Sequence, residues 1–224
     1  GVPLLLTLPL NLDPEPTRIL MGGFYSRLLT HSLEVAVFLA HLDQYVMNRS
    51  DVWKVLKLRG SSPSTEIFIS DPRPAQVLGV AGKVKVLFLK ANPFDTDWLA
   101  IDHEFKFVRD FHHIIRSNTM EFILEPAVRI AELHAHLDEY EPQILHFSGH
   151  GSKGGFLKFE GDEMGRSSEL LTGEALAAIL KYHAPPLKCV ILNACWSELV
   201  AKPVSEHVEF VIGMQHGITD YGAM

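Results

Sequence analysis

Pro142-Gln143-Ile144-Leu145-His146-Phe147-Ser148-Gly149-His150-Gly151 is the stretch of this chain that decides its fold. Its apolar residues form a short run, and a Ser-Gly-His-Gly turn follows at once. A run of this kind, bounded by turn residues, predicts a buried strand that ends in a tight loop. Glycines on both sides of His150 let the backbone bend sharply and let a substrate approach closely. We therefore expect His150 at the carboxyl end of a central strand.

A second apolar run, Cys189-Val190-Ile191-Leu192-Asn193-Ala194-Cys195-Trp196-Ser197, carries a cysteine near its carboxyl end. A cysteine attacks as thiolate, and a nearby histidine activates it or protonates a leaving amine. The backbone N–H groups of Gly151 and Cys195 would then hold the oxyanion of a tetrahedral intermediate. Taken singly, His150 and Cys195 are more simply a turn residue and a structural thiol. Their pairing beyond two buried strands favours a base and its nucleophile.

Strand and helix patterns alternate along the chain, and this alternation predicts an α/β fold. The expected architecture is a mostly parallel sheet with helices on both faces. In such sheets the chemistry gathers beyond the carboxyl ends of the strands, where His150 and Cys195 are both predicted. Residues 127–140 are predicted as a helix, 156–169 as a polar hairpin, and 208–214 as the last strand, next to the cysteine strand.

The composition limits the classes of partner and ligand. The chain has 224 residues, is 47% hydrophobic and carries a net charge of −7. No run of Lys and Arg forms a basic stripe, which argues against nucleic acid as a direct partner. No apolar run reaches the ~18 residues that a membrane span needs. The two cysteines argue against a disulfide scaffold and favour a reducing cytoplasm.

Two pairs of histidines are further candidates for metal binding. His112-His113 and His134-x-His136 point their side chains in different directions on a helix, so one zinc ion cannot readily take both members of a pair. Solvated or packing histidines explain them better. Neither a metal nor a cofactor is predicted.

His-Phe-Ser-Gly-His-Gly at 146–151, followed by Leu-Asn-Ala-Cys-Trp-Ser at 192–197, resembles the CHAT group of caspase-like cysteine peptidases, relatives of separase in clan CD. Caspases also place the histidine roughly 50 residues before the cysteine. Further landmarks of the group are Val-Leu-Phe-Leu-Lys-Ala-Asn-Pro at 86–93, Leu-Thr-Gly-Glu-Ala-Leu at 171–176, Val-Ile-Gly-Met at 211–214 and Ile-Thr-Asp at 218–220. The resemblance covers about residues 83–224 and implies a caspase-like fold that hydrolyses peptide bonds with Cys195 and His150.

The same resemblance implies a substrate and a setting. The substrate would be a protein, and the peptidase would work with a regulatory repeat or sensor domain or a partner protein, in bacterial defence or regulated death. Asp220 would line the pocket for the residue before the scissile bond, which implies cleavage after Arg or Lys. Asn193 and Asn92 are also assigned to substrate binding. The alternative for Asp220 is a cap on a helix that begins near Tyr221.

Two other function classes stay open. One is a catalytically silent pseudo-peptidase that binds a protein partner as an interaction module. The other is a hydrolase of small amides, which would need a closed pocket. Trp196 has two interpretations as well, a wall of the substrate site or a cover for the core.

The domain organisation is predicted from a repeated strand. Residues 2–9 resemble 208–215, so we interpret residues 1–60 as the carboxyl half of a first copy that lacks the dyad. Residues 61–82 are then a linker, and 83–224 are a CHAT peptidase domain truncated at its carboxyl end. This interpretation expects residues 3–8 in a separate sheet or a separate half of one sheet. A circularly permuted single domain is the rival.

Overall fold

The computed structural model of the chain describes residues 83–114, 120–162, 164 and 166–214, with the backbone alone for 4–8 and 57–60. In the helix over 101–114, the side chains of 107, 108 and 110–114 lie outside the description. In chain order the elements are β1 (Leu4–Leu8), β2 (Lys57–Gly60), β3 (Val84–Lys90), α1 (Ile101–Ile114), β4 (Met120–Glu125), α2 (Leu133–Tyr140), β5 (Ile144–Ser148), β6 (Phe156–Glu160), β7 (Ser168–Thr172), α3 (Gly173–His183), β8 (Cys189–Asn193), α4 (Glu198–Val204) and β9 (Phe210–Met214).

Seven of the described strands form one sheet in the order β2-β1-β9-β8-β5-β3-β4. Neighbouring strands run parallel, except that β1 and β2 are antiparallel. From β3 the chain first moves outward to β4 and then returns to the other side of β3 to form β5. The strand order therefore reverses between β3 and β5, and ligands of open α/β sheets bind beyond the strand ends at such a reversal. The predicted α/β class and its mostly parallel sheet are confirmed.

The two strands predicted to carry the chemistry lie at the centre of the sheet. All five residues of β5 and all five of β8 are buried, as continuous apolar runs in parallel sheets are expected to be. One face, with Leu145 and Phe147, packs in the core with apolar residues of α2, α3 and α4. The opposite face meets α1, where the Phe88 ring contacts the Phe105 ring edge-on at 5.2 Å. Helices therefore cover both faces.

The predicted hairpin occurs, and a threonine caps the helix that follows it. Strands β6 and β7 pair antiparallel as a separate two-stranded sheet, and Phe159 packs on Phe147 with ring centroids 4.8 Å apart. The Thr172 hydroxyl accepts a hydrogen bond from the Ala175 N–H at 3.1 Å and so caps α3.

The helix predicted over 127–140 begins later than its apolar pattern indicates. Ala127 has a φ of 53°, a 3₁₀ turn covers Ile130–Glu132, and regular α-helix starts only at Leu133. The cause is long-range pairing: the Val128 N–H donates to the Lys90 carbonyl, and the Val128 carbonyl accepts from Glu160, each at 3.0 Å. Tertiary hydrogen bonds thus hold the first residues of the predicted helix in an extended conformation.

The amino-terminal strand lies in the main sheet. Strand β1 pairs in parallel with β9, Leu4 opposite Phe210 and Leu8 opposite Met214. Both strands therefore share one sheet. Residues 9–56 lie outside the described part of the chain, so the division into 1–60, 61–82 and 83–224 stays a prediction, as does the permuted alternative.

Glu160, the last residue of β6, is a buried carboxylate beneath the loop that follows β3. It is 4% exposed, and its Oε1 accepts the backbone N–H of Asn92 at 2.7 Å. Burial raises the pKa of Glu160; the Asn92 bond lowers it, Asp95 and Asp162 raise it further, and Lys90 lowers it.

We expect Glu160→Gln to gain stability relative to the wild type as the pH rises. The amide keeps an acceptor for Asn92 and removes the buried charge. Because the folded-state pKa of Glu160 lies above its usual 4.5, the stability that protonation confers is lost as the pH rises through that raised value. The measurement is urea unfolding of both proteins at about pH 4 and pH 8.

The matched control is Glu169→Gln, an exposed carboxylate on the partner strand β7 opposite Phe159. Its stability difference from the wild type should stay nearly constant across the same pH range. A constant difference for Glu160→Gln as well would contradict the argument.

Candidate active site

His150 and Cys195 follow the ends of two neighbouring strands, at the carboxyl edge of the sheet. Strands β5 and β8 are direct neighbours in parallel, and their register places Ser148 opposite Asn193. His150 stands two residues beyond Ser148, and Cys195 stands two residues beyond Asn193. The sequence prediction that both follow buried strands agrees with this arrangement.

Gly151 brings the two loops into contact. A Cβ atom at this position would lie 1.9 Å from the carbonyl oxygen of Cys195 and 3.2 Å from its nitrogen. Backbone atoms of a neighbouring loop cannot move aside as the end of a side chain can, so the two loops approach this closely only because residue 151 has no side chain. The role of the Gly151 and Cys195 N–H groups as oxyanion donors stays a prediction.

The imidazole of His150 is oriented by a backbone carbonyl. Its Nε2 lies 2.6 Å from the carbonyl oxygen of Asp97, in the loop that follows β3. Because a carbonyl only accepts, Nε2 carries the proton and Nδ1 is the basic nitrogen of the neutral ring. Sequence reasoning did not find this contact, since every residue offers the same backbone carbonyl and no side-chain type marks it.

Asn92 braces the loop that carries Asp97. Its Nδ2 donates to the Leu99 carbonyl at 3.0 Å, and its Oδ1 accepts the Leu99 N–H at 3.2 Å. The side-chain amide is therefore engaged inside the loop. The sequence assigns Asn92 to substrate binding; that role stays a prediction, and the contacts described here are structural.

The side chain of Asn193 contacts a buried carboxylate of α1. It is 5% exposed, and its Nδ2 donates to Oε1 of Glu104 at 2.7 Å. Its predicted role in substrate binding likewise stays a prediction. Sequence reasoning missed Glu104, although a signal existed: Glu104 follows Ile101 by three residues and so places a charge on the buried face of α1.

The two cysteines have opposite environments. Cys195 is partly exposed in the turn after β8, whereas Cys189 is fully buried within the strand. Burial raises the pKa of the Cys189 thiol, which makes it the unreactive one.

Ser197 fixes the turn that carries Cys195. Its Oγ donates to the Leu192 carbonyl at 2.7 Å and accepts the Met214 N–H at 2.8 Å, so the turn is tied to β8 and β9 at once. Trp196 adopts a φ of 59° in this turn. The Lys153 ammonium lies 5.5 Å from the centroid of the half-buried Trp196 ring.

Other sites from the sequence stand as follows. Asp220 lies outside the described residues. Within the part of the chain that the structure describes, no three metal-ligating side chains come together, and no helix is long and apolar enough to cross a bilayer.

A parallel α/β sheet with a histidine and a cysteine at the carboxyl ends of adjacent strands has the organisation of a caspase-like fold. The family model of the CHAT domain matches residues 38–224. The chain therefore belongs to the CHAT-domain family.

Two curated relatives carry protease names. A "Probable protease" of Gillisia limnaea is 29% identical over 140 residues, which are 62% of this chain and 25% of that protein. A "Roc-COR-CHAT protease" of an unknown prokaryotic organism is 24% identical over 135 residues, 57% of this chain and 13% of that protein. The chain thus corresponds to only a small part of each relative.

Gly151→Ala is expected to destabilise the protein by about 1–3 kcal/mol, because the added methyl group overpacks against the Cys195 backbone. The control is Gly154→Ala in the same loop, where the nearest atoms belong to the Phe156 ring and the Ser152 hydroxyl. Side chains can yield there, so the control should lose much less stability. Equal losses of unfolding free energy in the two variants would show that the loops do not meet as described.

Proposed function

We propose that this chain is the catalytic part of a cysteine endopeptidase that cleaves a protein substrate. Cys195 is the nucleophile and His150 is the general acid and base. The observation that carries the proposal is the packing of Gly151 on Cys195, because it holds the histidine loop against the cysteine loop at the edge of the sheet. Membership of the CHAT family and the protease names of two relatives support it.

Acylation would begin when Nδ1 of His150 takes the proton of the Cys195 thiol. The thiolate attacks the carbonyl carbon of the scissile peptide, a C–S bond forms, and the carbonyl electron pair moves to oxygen. The N–H groups of Gly151 and Cys195 would hold that oxyanion. When it collapses, the C–N bond breaks and His150 gives its proton to the leaving amine.

Deacylation would use the same groups. His150 removes a proton from water, and the hydroxide attacks the thioester carbon. The C–S bond then breaks to release the carboxylic product, and the imidazolium returns its proton to the departing thiolate. Throughout, the Asp97 carbonyl would keep the Nε2 proton of His150, which leaves Nδ1 as the nitrogen that exchanges protons in both half-reactions. A carbonyl also stabilises the imidazolium that forms transiently.

Cys195→Ala and His150→Ala should each reduce peptide hydrolysis by about a thousandfold or more, without unfolding the protein. Because the two side chains act as a unit, the double variant should lose little more than either single one. The measurement is hydrolysis of an unfolded protein substrate by the full protein.

The control for this experiment is Cys189→Ala. It removes the other cysteine, which is buried at the start of β8. The variant should lose stability but keep its hydrolytic activity. Full proteolysis by Cys195→Ala would refute the assignment. A wild type that binds proteins without cleaving them would favour the silent interaction module.

We also propose specificity for a basic residue before the cut, read by Asp220. The support is positional: β9 lies next to the cysteine strand β8, and Asp220 follows the end of β9 by six residues. A carboxylate at that end of the strand would pair with a guanidinium or ammonium group.

We further propose that the peptidase works with a regulatory partner domain. The compound name of the Roc-COR-CHAT relative supports this proposal.

Asp220→Ala should depress cleavage after Arg by roughly a hundredfold or more, because the substrate cation would be left without its partner. The test is a set of peptides that carry Arg, Asp or Leu before the cut, with exposed Glu206→Ala as the carboxylate control. If Asp220 is only a helix cap, its loss costs about 1 kcal/mol of stability and leaves peptide preference unchanged. Equal wild-type rates for the three peptides would refute the specificity.

A further inference from the structure

A buried carboxylate lies directly beneath the catalytic pair. Glu104, in the first turn of α1, is 5% exposed. Its Oε2 accepts a hydrogen bond from the Ser148 hydroxyl at 2.5 Å, and its Oε1 accepts one from Asn193 Nδ2 at 2.7 Å. The Nε2 atom of His146 lies 2.9 Å from the same Oε1. All four side chains are buried.

The two hydrogen-bond donors occupy equivalent places on neighbouring strands. Ser148 is the last residue of β5, Asn193 is the last residue of β8, and the register pairs them. One carboxylate therefore bridges the two strand ends from which the catalytic residues project, two positions farther on. A backbone hydrogen bond from the Gly149 N–H to the Asn193 carbonyl, 3.3 Å long, links the two chains directly after these residues.

Helix α1 also anchors the loop that follows β3, which is the third loop at this edge of the sheet. It begins directly after the loop that holds Asp97, whose carbonyl orients the catalytic histidine. At the loop's start, Lys90 forms an ion pair with Asp102 of α1 at 2.7 Å. Glu104 thus connects the loops that follow β3, β5 and β8 through one rigid element.

The histidine beside the Glu104 carboxylate is packed against an aromatic ring. His146 is fully buried and stacks on Phe88 with centroids 4.3 Å apart and an angle of 28° between the planes. A buried carboxylate carries a desolvation cost that its hydrogen bonds must offset, and apolar residues of similar volume often replace such groups without loss of stability. Fold stability alone therefore gives no reason for a charge at this position.

We propose that Glu104 is a positioning residue for the His150–Cys195 pair. By holding the Ser148 and Asn193 side chains at one carboxylate, it sets the relative position of the two strand ends and hence the geometry of the dyad. Glu104 does not touch the reacting atoms. The catalytic consequence rests on the proposed function, whereas the geometric consequence does not.

The test is Glu104→Gln in the full protein, with two readouts. The amide keeps the size of the side chain, but its NH₂ group faces a donor where a carboxylate oxygen accepted. We expect kcat for peptide hydrolysis to fall about 10- to 100-fold, the effect of a small misplacement of catalytic groups. KM should stay within about threefold, since Glu104 itself does not contact the substrate.

The second readout is the rate of Cys195 alkylation by iodoacetamide as a function of pH. It reports how well the histidine activates the thiol and requires no peptide substrate. In Glu104→Gln the reactivity at low pH should be lost and the profile should move to higher pH. Cys189 is buried and does not contribute, and Cys195→Ala supplies the blank.

Two further variants make the result decisive. Glu139→Gln makes the same exchange at an exposed carboxylate of α2 and should leave both readouts within about twofold of the wild type. Ser148→Ala removes one of the two bonds to Glu104 and should lower both readouts about two- to tenfold. If Glu104→Gln does not fold, Ser148→Ala replaces it in both measurements.

The outcomes separate the two proposals. If the wild type cleaves no peptide but the alkylation profile still moves in Glu104→Gln, the peptidase function fails and the positioning role stands. If hydrolysis and alkylation in both Glu104→Gln and Ser148→Ala remain within about twofold of the wild type, the positioning role is overturned.

Discussion

Strands β5 and β8 run parallel with Ser148 opposite Asn193, and the candidate site depends on that register. A slip of one residue would exchange the faces of a strand, because side chains alternate with a period of two. Phe147 would then leave the apolar core, and Ser148 would lose the carboxylate of Glu104. The register that fills the core is thus the register that brings the histidine loop to the cysteine loop.

One face of β5 is apolar and packs in the core, and the opposite face is polar. Leu145 and Phe147 contribute to the apolar core, and His146 and Ser148 point to the opposite face with Glu104. Burial of polar groups in a central strand is tolerated only where each finds a partner. Helix α1 provides that partner from the first turn, close to the carboxyl edge where the chemistry is proposed. The polar side chains of β5 therefore meet the first turn of that helix, opposite the apolar core.

Much of this arrangement could be predicted from the sequence because its signals are local. The apolar runs of β5 and β8, the glycine that follows His150 and the Thr172 cap each follow from a few consecutive residues. The start of α2 could not be predicted, since Val128 is held by Lys90 and Glu160, which lie far away in the chain. The Asp97 carbonyl could not be predicted either, because backbone groups carry no residue identity. Glu104 left a weak trace, a charge on a buried helix face, which becomes meaningful only once the strand order is known.

The pairing of β1 with β9 has a consequence for the order in which the sheet is assembled. Leu4 lies opposite Phe210, so this ladder closes a loop of about two hundred residues, and contacts of such sequence separation form late because of the chain entropy that they cost. A ribosome makes the amino-terminal strand first, yet its partner emerges only near residue 214. During synthesis the Leu-Leu-Leu-Thr-Leu segment exists before β9 does. An unpaired apolar strand is prone to aggregate with other chains. The antiparallel pairing with β2, whose residues 57–60 are made much sooner, gives β1 an early partner while the rest of the sheet is completed.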